Sequence, residues 1–391
     1  MSIFDHYERA VTRLRPEGVA LLAVVGLVAC SGSEGDRNPV ADSGIATSPG
    51  PGTSGDVEDM DDDGGTTSEL TAGLTSGAVD GDDSADGGDG PAPVKFDFGI
   101  PDAPEGAVCG APSPVTCDPM SNDPWHALGL NCPGGPQVAG SINLTNAAQI
   151  YVHQGNLGTY VHPVDGPPFP PREGERMVFL SSGNASQLLT PMAGNNPSTG
   201  YNGSQVAMPA PIQINNVSAT EDCIDNPGLV GTGDCSNTIQ QQFQQGGGAR
   251  DYAEMRFTAE VPVGTFGFSY DFAFFSVEYP TYYGSMFNDM YIAWLESEQW
   301  TGNISFDEQG NPISLNAGFL DYTQSQELQG TGAQGHAGTK WLSTQAPVTP
   351  GETITVIFAI FDLSDSILDS MVILDNFQWN CEGGPPLTIP G

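Results

Sequence analysis

The chain has 391 residues and carries 48 acidic against 10 basic side chains, a formal net charge of −38. So anionic a surface repels phosphate backbones and anionic headgroups, which excludes nucleic acid as a partner and favours solubility and the attraction of cations. The length allows one large domain or two small ones once low-complexity segments are set aside.

Residues 1–29 carry Arg9, Arg13 and Arg15, then an apolar run over 19–28 that closes in Leu27-Val28-Ala29-Cys30. The run is too short for the ~20 apolar residues of a spanning helix, and a plain secretory signal ends in a small-x-small site instead. A cysteine placed directly after this sequence offers its thiol for diacylglyceryl transfer. The expectation is a lipoprotein signal peptide over 1–29 and a lipidated Cys30 that holds the chain to a membrane of the cell envelope. Ser31 resembles the second mature residue of lipoproteins sent to the outer membrane.

Residues 30–95 read as a disordered, extended tether: over 31–95 there are 15 acidic and 2 basic residues among Gly, Ser, Thr and Pro, with almost nothing to form a core. Asp59, Asp61, Asp63 and Gly64 imitate the start of a calcium loop. The closing Glu should then stand at Leu70, whereas Glu69 comes one residue early, so the stretch is read as part of the tether.

Residues 96–136 are dense in Pro and Gly and hold Cys109, Cys117 and Cys132, as expected of a stapled leader packed on the domain that follows. With Cys30 assigned to the lipid, six cysteines remain in an exported chain, and three disulfides are the default. Fifteen connectivities are open. The expected set is Cys109 with Cys117, Cys132 with Cys381, and Cys223 with Cys235, the last two sharing one turn-rich loop. Zinc is disfavoured, because the paired short Cys/His spacings it needs are missing.

Short segments at 137–145, 149–153, 177–181 and 206–214 read as strands bounded by Gly, Pro and Asn. His153 and His162 flank a Gly-rich turn and are taken as loop residues rather than metal ligands. Residues 240–245 form a Gln-rich, low-complexity approach to the centre of the chain. There Ala253, Met255, Phe257, Ala259 and Val261 alternate with Glu254, Arg256, Thr258 and Glu260, and after Pro262 and Gly264 the aromatic row Phe266, Phe268, Tyr270, Phe272 and Phe274 repeats the period of two. Two such runs predict a hairpin with one row in the core and one polar row in water. Residues 290–295 and 353–361 are apolar in both rows and so predicted to be covered on two faces. Residues 372–377 supply a closing strand, and 364–370 a turn of helix. The fold class expected over 137–391 is all-β, a β-sandwich of jelly-roll kind.

Ser276, Glu278, Tyr279 and Pro280, followed by Ser285, Phe287, Asn288 and Asp289, resemble the S-E-E-Y-P...S-x-F-N-D signature of choice-of-anchor L domains, with Val277 departing from it. The resemblance extends to Trp341-Leu342, to Pro350-Gly351-Glu352-Thr353 and to the stretch from Asp369 through Asp375-Asn376, so it covers roughly 137–379. It implies a β-sandwich displayed outside the cell on bacterial lipoproteins and secreted proteins, and no settled activity.

No G-x-S-x-G, P-loop, Rossmann glycine motif or H-E-x-x-H is present. What remains is oxygen-rich: Glu278, Asn288, Asp289, Asp369 and Asp375 sit at strand ends. If these ends meet, they suit a structural Ca²⁺, which takes six to eight oxygens. Otherwise they serve as turn residues, or as the acid and base of a glycan hydrolase, for which two carboxyls about 5 to 9.5 Å apart in a cleft are required. Tyr279, Tyr282, Tyr283 and Trp300 would form a stacking patch if they lie together. The function expected is a membrane-anchored surface module, non-enzymatic, that binds a glycan or a surface protein; the alternative is an extracellular carboxylate-dependent glycan hydrolase.

Overall fold

The computed structural model describes residues 108–192, 198–200, 203–215, 221–245 and 248–391. Cys30, the tether and the Asp59–Asp63 motif lie outside the described residues. In chain order the strands are β1 (Ala139–Leu144), β2 (Ile150–Gln154), β3 (Arg176–Ser181), β4 (Ala249–Glu260), β5 (Gly267–Ser276), β6 (Met290–Glu296), β7 (Thr301–Asn303), β8 (Ile313–Ser314), β9 (Tyr322–Thr323), β10 (Ala337–Gly338), β11 (Leu342–Pro347), β12 (Thr353–Leu363), β13 (Ser370–Asn380) and β14 (Leu387–Pro390). Two antiparallel sheets pack as a sandwich. Among the described residues one is six-stranded, in the order β1-β4-β12-β6-β7 with β8 beside β6. The other is eight-stranded, in the order β14-β11-β5-β13-β3-β2, with β10 paired to the end of β5 and β9 paired to β10.

The hairpin expected at the centre is not formed. β4 pairs with β1 and β12, while β5 pairs with β11 and β13 in the opposite sheet. The chain crosses between layers at Pro262–Phe266, where Gly264 has φ +76° and a Cβ would come within 2.8 Å of the Gly110 nitrogen. A hairpin would have set both apolar rows side by side on one sheet; the crossing sets them face to face, filling the roughly 10 Å between sheets. Phe268, Tyr270, Phe272 and Phe274 thus meet Phe257, Phe358 and Tyr291, with ring centroids 4.8 Å apart for Tyr270 and Phe358 and 5.0 Å for Phe272 and Tyr291.

Both outer faces are also covered in part. On the outer face of the first sheet, Tyr252, Ile292, Trp294, Ile357 and Phe361 pack beneath Ile212 and Ile239. This confirms two-sided burial of β6 and β12 and corrects one member of the polar row of β4, whose Thr258 and Glu260 do face water. Glu254 is buried, accepting from the Tyr252 hydroxyl at 2.6 Å and from Arg256 at 2.8 and 2.9 Å. Residues 206–214 provide this cover without being a strand. Pro209 and Pro211 interrupt their ladder donors, and the segment is tied instead by Val206 N to Ala249 O and by Arg256 to Ala210 O. Residues 240–245 form a short helix, α2 (Gln240–Gln245), and 364–370 are bends rather than a helical turn.

The described part of the leader, residues 108–136, packs on the sandwich. A short helix, α1 (Pro124–Ala127), is capped by Asp123, whose carboxylate accepts from Trp125 N at 2.9 Å. It buries Trp125 edge-on against Phe257 and aligns Leu128, whose carbonyl accepts from Phe377 N. The disulfides are Cys109–Cys381, Cys117–Cys132 and Cys223–Cys235. Only the last matches expectation. Cys109 enters beside the β4–β5 crossing, where Gly110 N donates to Gly264 O, and β13 ends at the same place, so Cys381 lies against Gly264 O. Cys117 and Cys132 are then left to clamp the two ends of the leader's helical segment. Proteolysis without reduction should release a peptide pair containing Cys109 and Cys381, with no thiol among the six open to alkylation; a Cys109–Cys117 peptide would contradict this pairing.

Candidate metal centre

Antiparallel pairing brings five strand ends to one end of the sandwich. In the first sheet, Phe361 of β12 stands opposite Met290 of β6, and Asp362 opposite Arg250 of β4, across a bulge. In the second, Ser370 of β13 stands opposite Ser276 of β5. Each end carries an acid: Asp251 at the start of β4, Asp289 just before β6, Asp362 near the end of β12, Asp369 just before β13 and Glu278 just after β5. All five are at most 2 % exposed. The charges of Asp362 and Glu278 act on the Asp289 carboxyl, as does the Ser370 hydroxyl, and those of Asp251 and Asp369 act on Asp362 together with Ser182.

Hydrogen bonds satisfy little of this cluster. Glu278 Oε2 accepts from Asp289 N at 3.3 Å, and Asp369 Oδ2 from Thr199 N at 2.8 Å. Both carboxylate oxygens of Asp251, Asp289 and Asp362, Oδ1 of Asp369 and Oγ of Ser370 are buried without a partner of hydrogen-bonding geometry. Burial is the first cause that raises every one of these acids above the ordinary carboxylate range. Asp251 and Asp369 rise to about 6 and Glu278 to about 8, and mutual repulsion adds to the effect for Asp251 and Glu278. Asp289 and Asp362 are pushed well up, by burial and then chiefly by neighbouring carboxylates for Asp289. Arg250 offsets part of this charge at Asp251 and at the half-buried Asp365. Asp251 has φ +51°, a left-handed backbone that Asp tolerates better than most residues. A Cβ on Gly183 would come within 2.3 Å of Asp369, so that wall of the cluster is closed by glycine.

Of the five expected ligands, Glu278, Asp289 and Asp369 come together and two do not. Asn288 is spent on structure: its amide donates to Gln242 at 3.0 Å and Ser314 at 3.2 Å, and its oxygen accepts from Asn316 N at 3.0 Å. Asp375 lies further along β13, opposite Asp271, and accepts from the backbone of Arg172 and Asn376 at 2.7 and 2.6 Å. Asp251 and Asp362 were missed. Asp362 left a signal, being the lone acid in a strand apolar in both rows; Asp251 left none. Among the described residues, no three His, Cys, Asp or Glu side chains stand at the spacing of a preformed metal site.

The aromatic patch also divides. Tyr279 and Tyr283 meet edge-on at 5.8 Å and Tyr283 is exposed, but Trp300 is buried in the inter-sheet core and donates to Asn303 O at 3.2 Å. His153 is a strand residue of β2, opposite Met177, rather than a loop residue, and bonds to Asn156 O; His162 lies in a loop as expected and pairs with Asp165. A separate open pocket of about 400 Å³ is lined by His162, Arg172, Tyr322, Lys340 and Trp341 among others. Its cations are already matched by acids, Arg172 by Asp271 at 3.1 Å and Lys340 by Asp321 at 3.5 Å. With Asp165 and Glu327 also on its lining, the pocket keeps a net negative charge beside its hydrogen-bonding groups and ring surface.

Compared with protein-family models, with characterised proteins and with solved structures, the chain has no match.

Proposed function

We propose that this chain is a lipid-anchored protein of the bacterial cell envelope, related to choice-of-anchor L domains, whose β-sandwich binds or adheres rather than catalyses. One observation carries the reading: three disulfides staple the described chain, one of them joining its leader to the end of the last long strand across 272 residues. Such cross-linking suits an oxidising compartment outside the cytoplasm, and the Leu27-Val28-Ala29-Cys30 sequence supplies the route there. The non-enzymatic part is supported by burial. The acid and base of a glycosidase must reach the scissile bond from a cleft, whereas Glu278, Asp289 and Asp369 are buried at the end of the sandwich. The pocket beside Tyr322 and Lys340 is the recess we assign to a ligand, and the acids Asp165 and Glu327 on its lining suit a neutral glycan or a surface polypeptide better than a phosphate.

Cys30→Ser is expected to lose the acyl mass and to leave the membrane fraction. Outer-membrane placement is tested by fractionating the wild type. Continued membrane association of the variant would overturn the anchor. A glycan array and a surface-protein pull-down with the mature chain, repeated with Tyr322→Ala and Lys340→Ala, test the module: binding should fall in both variants. Turnover of a glycan by the wild type would return the hydrolase reading.

A further inference from the structure

We propose that the buried carboxylates at the sandwich end form a Ca²⁺ site bridging the two sheets, with Asp251, Asp289, Asp362, Asp369 and Ser370 as ligands and Glu278 behind Asp289. The physical case rests on what the cluster lacks. Burying an ionised carboxylate without a compensating partner is costly enough that proteins pair it, neutralise it or bind a metal with it. Here several lie together, and Arg250 is the basic group whose charge acts on Asp251. Eight oxygens from Asp251, Asp289, Asp362, Asp369 and Ser370 are buried with no partner at ordinary hydrogen-bond geometry.

The number and kind of those oxygens select the ion. Calcium takes six to eight hard oxygen ligands in flexible geometry, whereas Mg²⁺ demands a near-ideal octahedron and keeps much of its water. A buried site of carboxylates and one hydroxyl has no nitrogen or sulfur to favour zinc. The ligands also come from both layers. Asp251 and Asp362 belong to the first sheet and Asp289 leads into it, while Asp369 leads into the second and Ser370 belongs to it, so an ion among them joins the sheets at an end where the Asp251, Asp289 and Asp362 carboxylates make no hydrogen bond of ordinary geometry. The carboxylates do not stand at ligand spacing as they are, and binding draws their side chains inward. Such a site needs no access for substrate, and it does not depend on the ligand-binding role proposed above.

The test is calorimetric titration of the chelator-treated, full-length mature protein with CaCl₂, together with thermal melting in Ca²⁺, Mg²⁺ and Na⁺ at matched ionic strength. The matching matters because any cation screens a protein this acidic. One saturable Ca²⁺ per chain is expected, with an upward shift of several degrees in Ca²⁺ that Na⁺ does not reproduce and Mg²⁺ reproduces weakly. Asp289→Asn and Asp362→Asn should each weaken binding at least tenfold, while Glu260→Gln, at the far end of β4, should leave it unchanged. Absence of saturable binding by the wild type overturns the proposal whether or not the variants fold. Full-strength binding retained by both Asn variants places the ion elsewhere and overturns it equally.

Discussion

Replacing Cys109 and Cys381 together by Ala should destabilise the protein by about 5 to 6 kcal/mol, the chain-entropy expectation for a loop this long, since the bridge spans 272 residues. The same change at Cys117 and Cys132, which are 15 residues apart, should cost about 3 kcal/mol. The difference arises in the unfolded state. Without the long bridge the leader is free of the last long strand, and the unfolded ensemble gains the freedom of nearly the whole domain. In melting, the first pair should lower Tm on the order of 10 °C and the second by roughly half as much. A larger loss for Cys117 and Cys132 would mean that the leader's own packing, through Trp125 and Leu128, outweighs loop closure.

In chelator, stability should fall as pH rises from about 4 to about 8, on the order of a few kcal/mol. The direction follows from acids whose proton affinity is higher in the folded chain. Asp251 and Asp369 are raised to about 6 and Glu278 and Asp375 to about 8, first of all by burial, while unfolded they titrate near 4. Between those limits the native state holds more protons than the unfolded one. The stabilisation is therefore complete below the unfolded values and lost as pH rises through the folded ones. Repulsion within an acidic domain acts in the same direction. To separate the two, Asp289→Asn should flatten the profile, since it removes a carboxyl from the centre of the cluster, whereas Glu260→Gln should not. A melting temperature that is flat or rising from pH 4 to 8 would contradict the buried-acid account.

Much of the architecture was legible because it rests on local patterning. The period of two at 253–261 and 266–274, and the two-rowed apolar runs at 290–295 and 353–361, fixed strands at β4, β5, β6 and β12, and with them an all-β sandwich. Such alternation reports that a strand has a buried face. It does not say which strand lies beside it. That is why β4 and β5 read as a hairpin although they belong to opposite sheets, and why Glu254 read as solvated although residues 206–214 cover it.

The site divides in the same way. Glu278, Asp289 and Asp369 were visible as acids at strand ends, and Asp375 looked no different from them. Only pairing separated them, by setting Asp375 opposite Asp271 and gathering the others with Asp251 and Asp362 where five strand ends converge. Cysteine pairing followed suit: Cys223 and Cys235 share a local loop and were matched from the sequence, while Cys109 finds Cys381 because the β4–β5 crossing and the end of β13 meet. Hydrophobic periodicity is a property of a few neighbouring residues and survives in the bare sequence. Which carboxylates share one buried space is set by pairing between strands that lie tens to more than a hundred positions apart, and this comes into being only when the sheets close on each other.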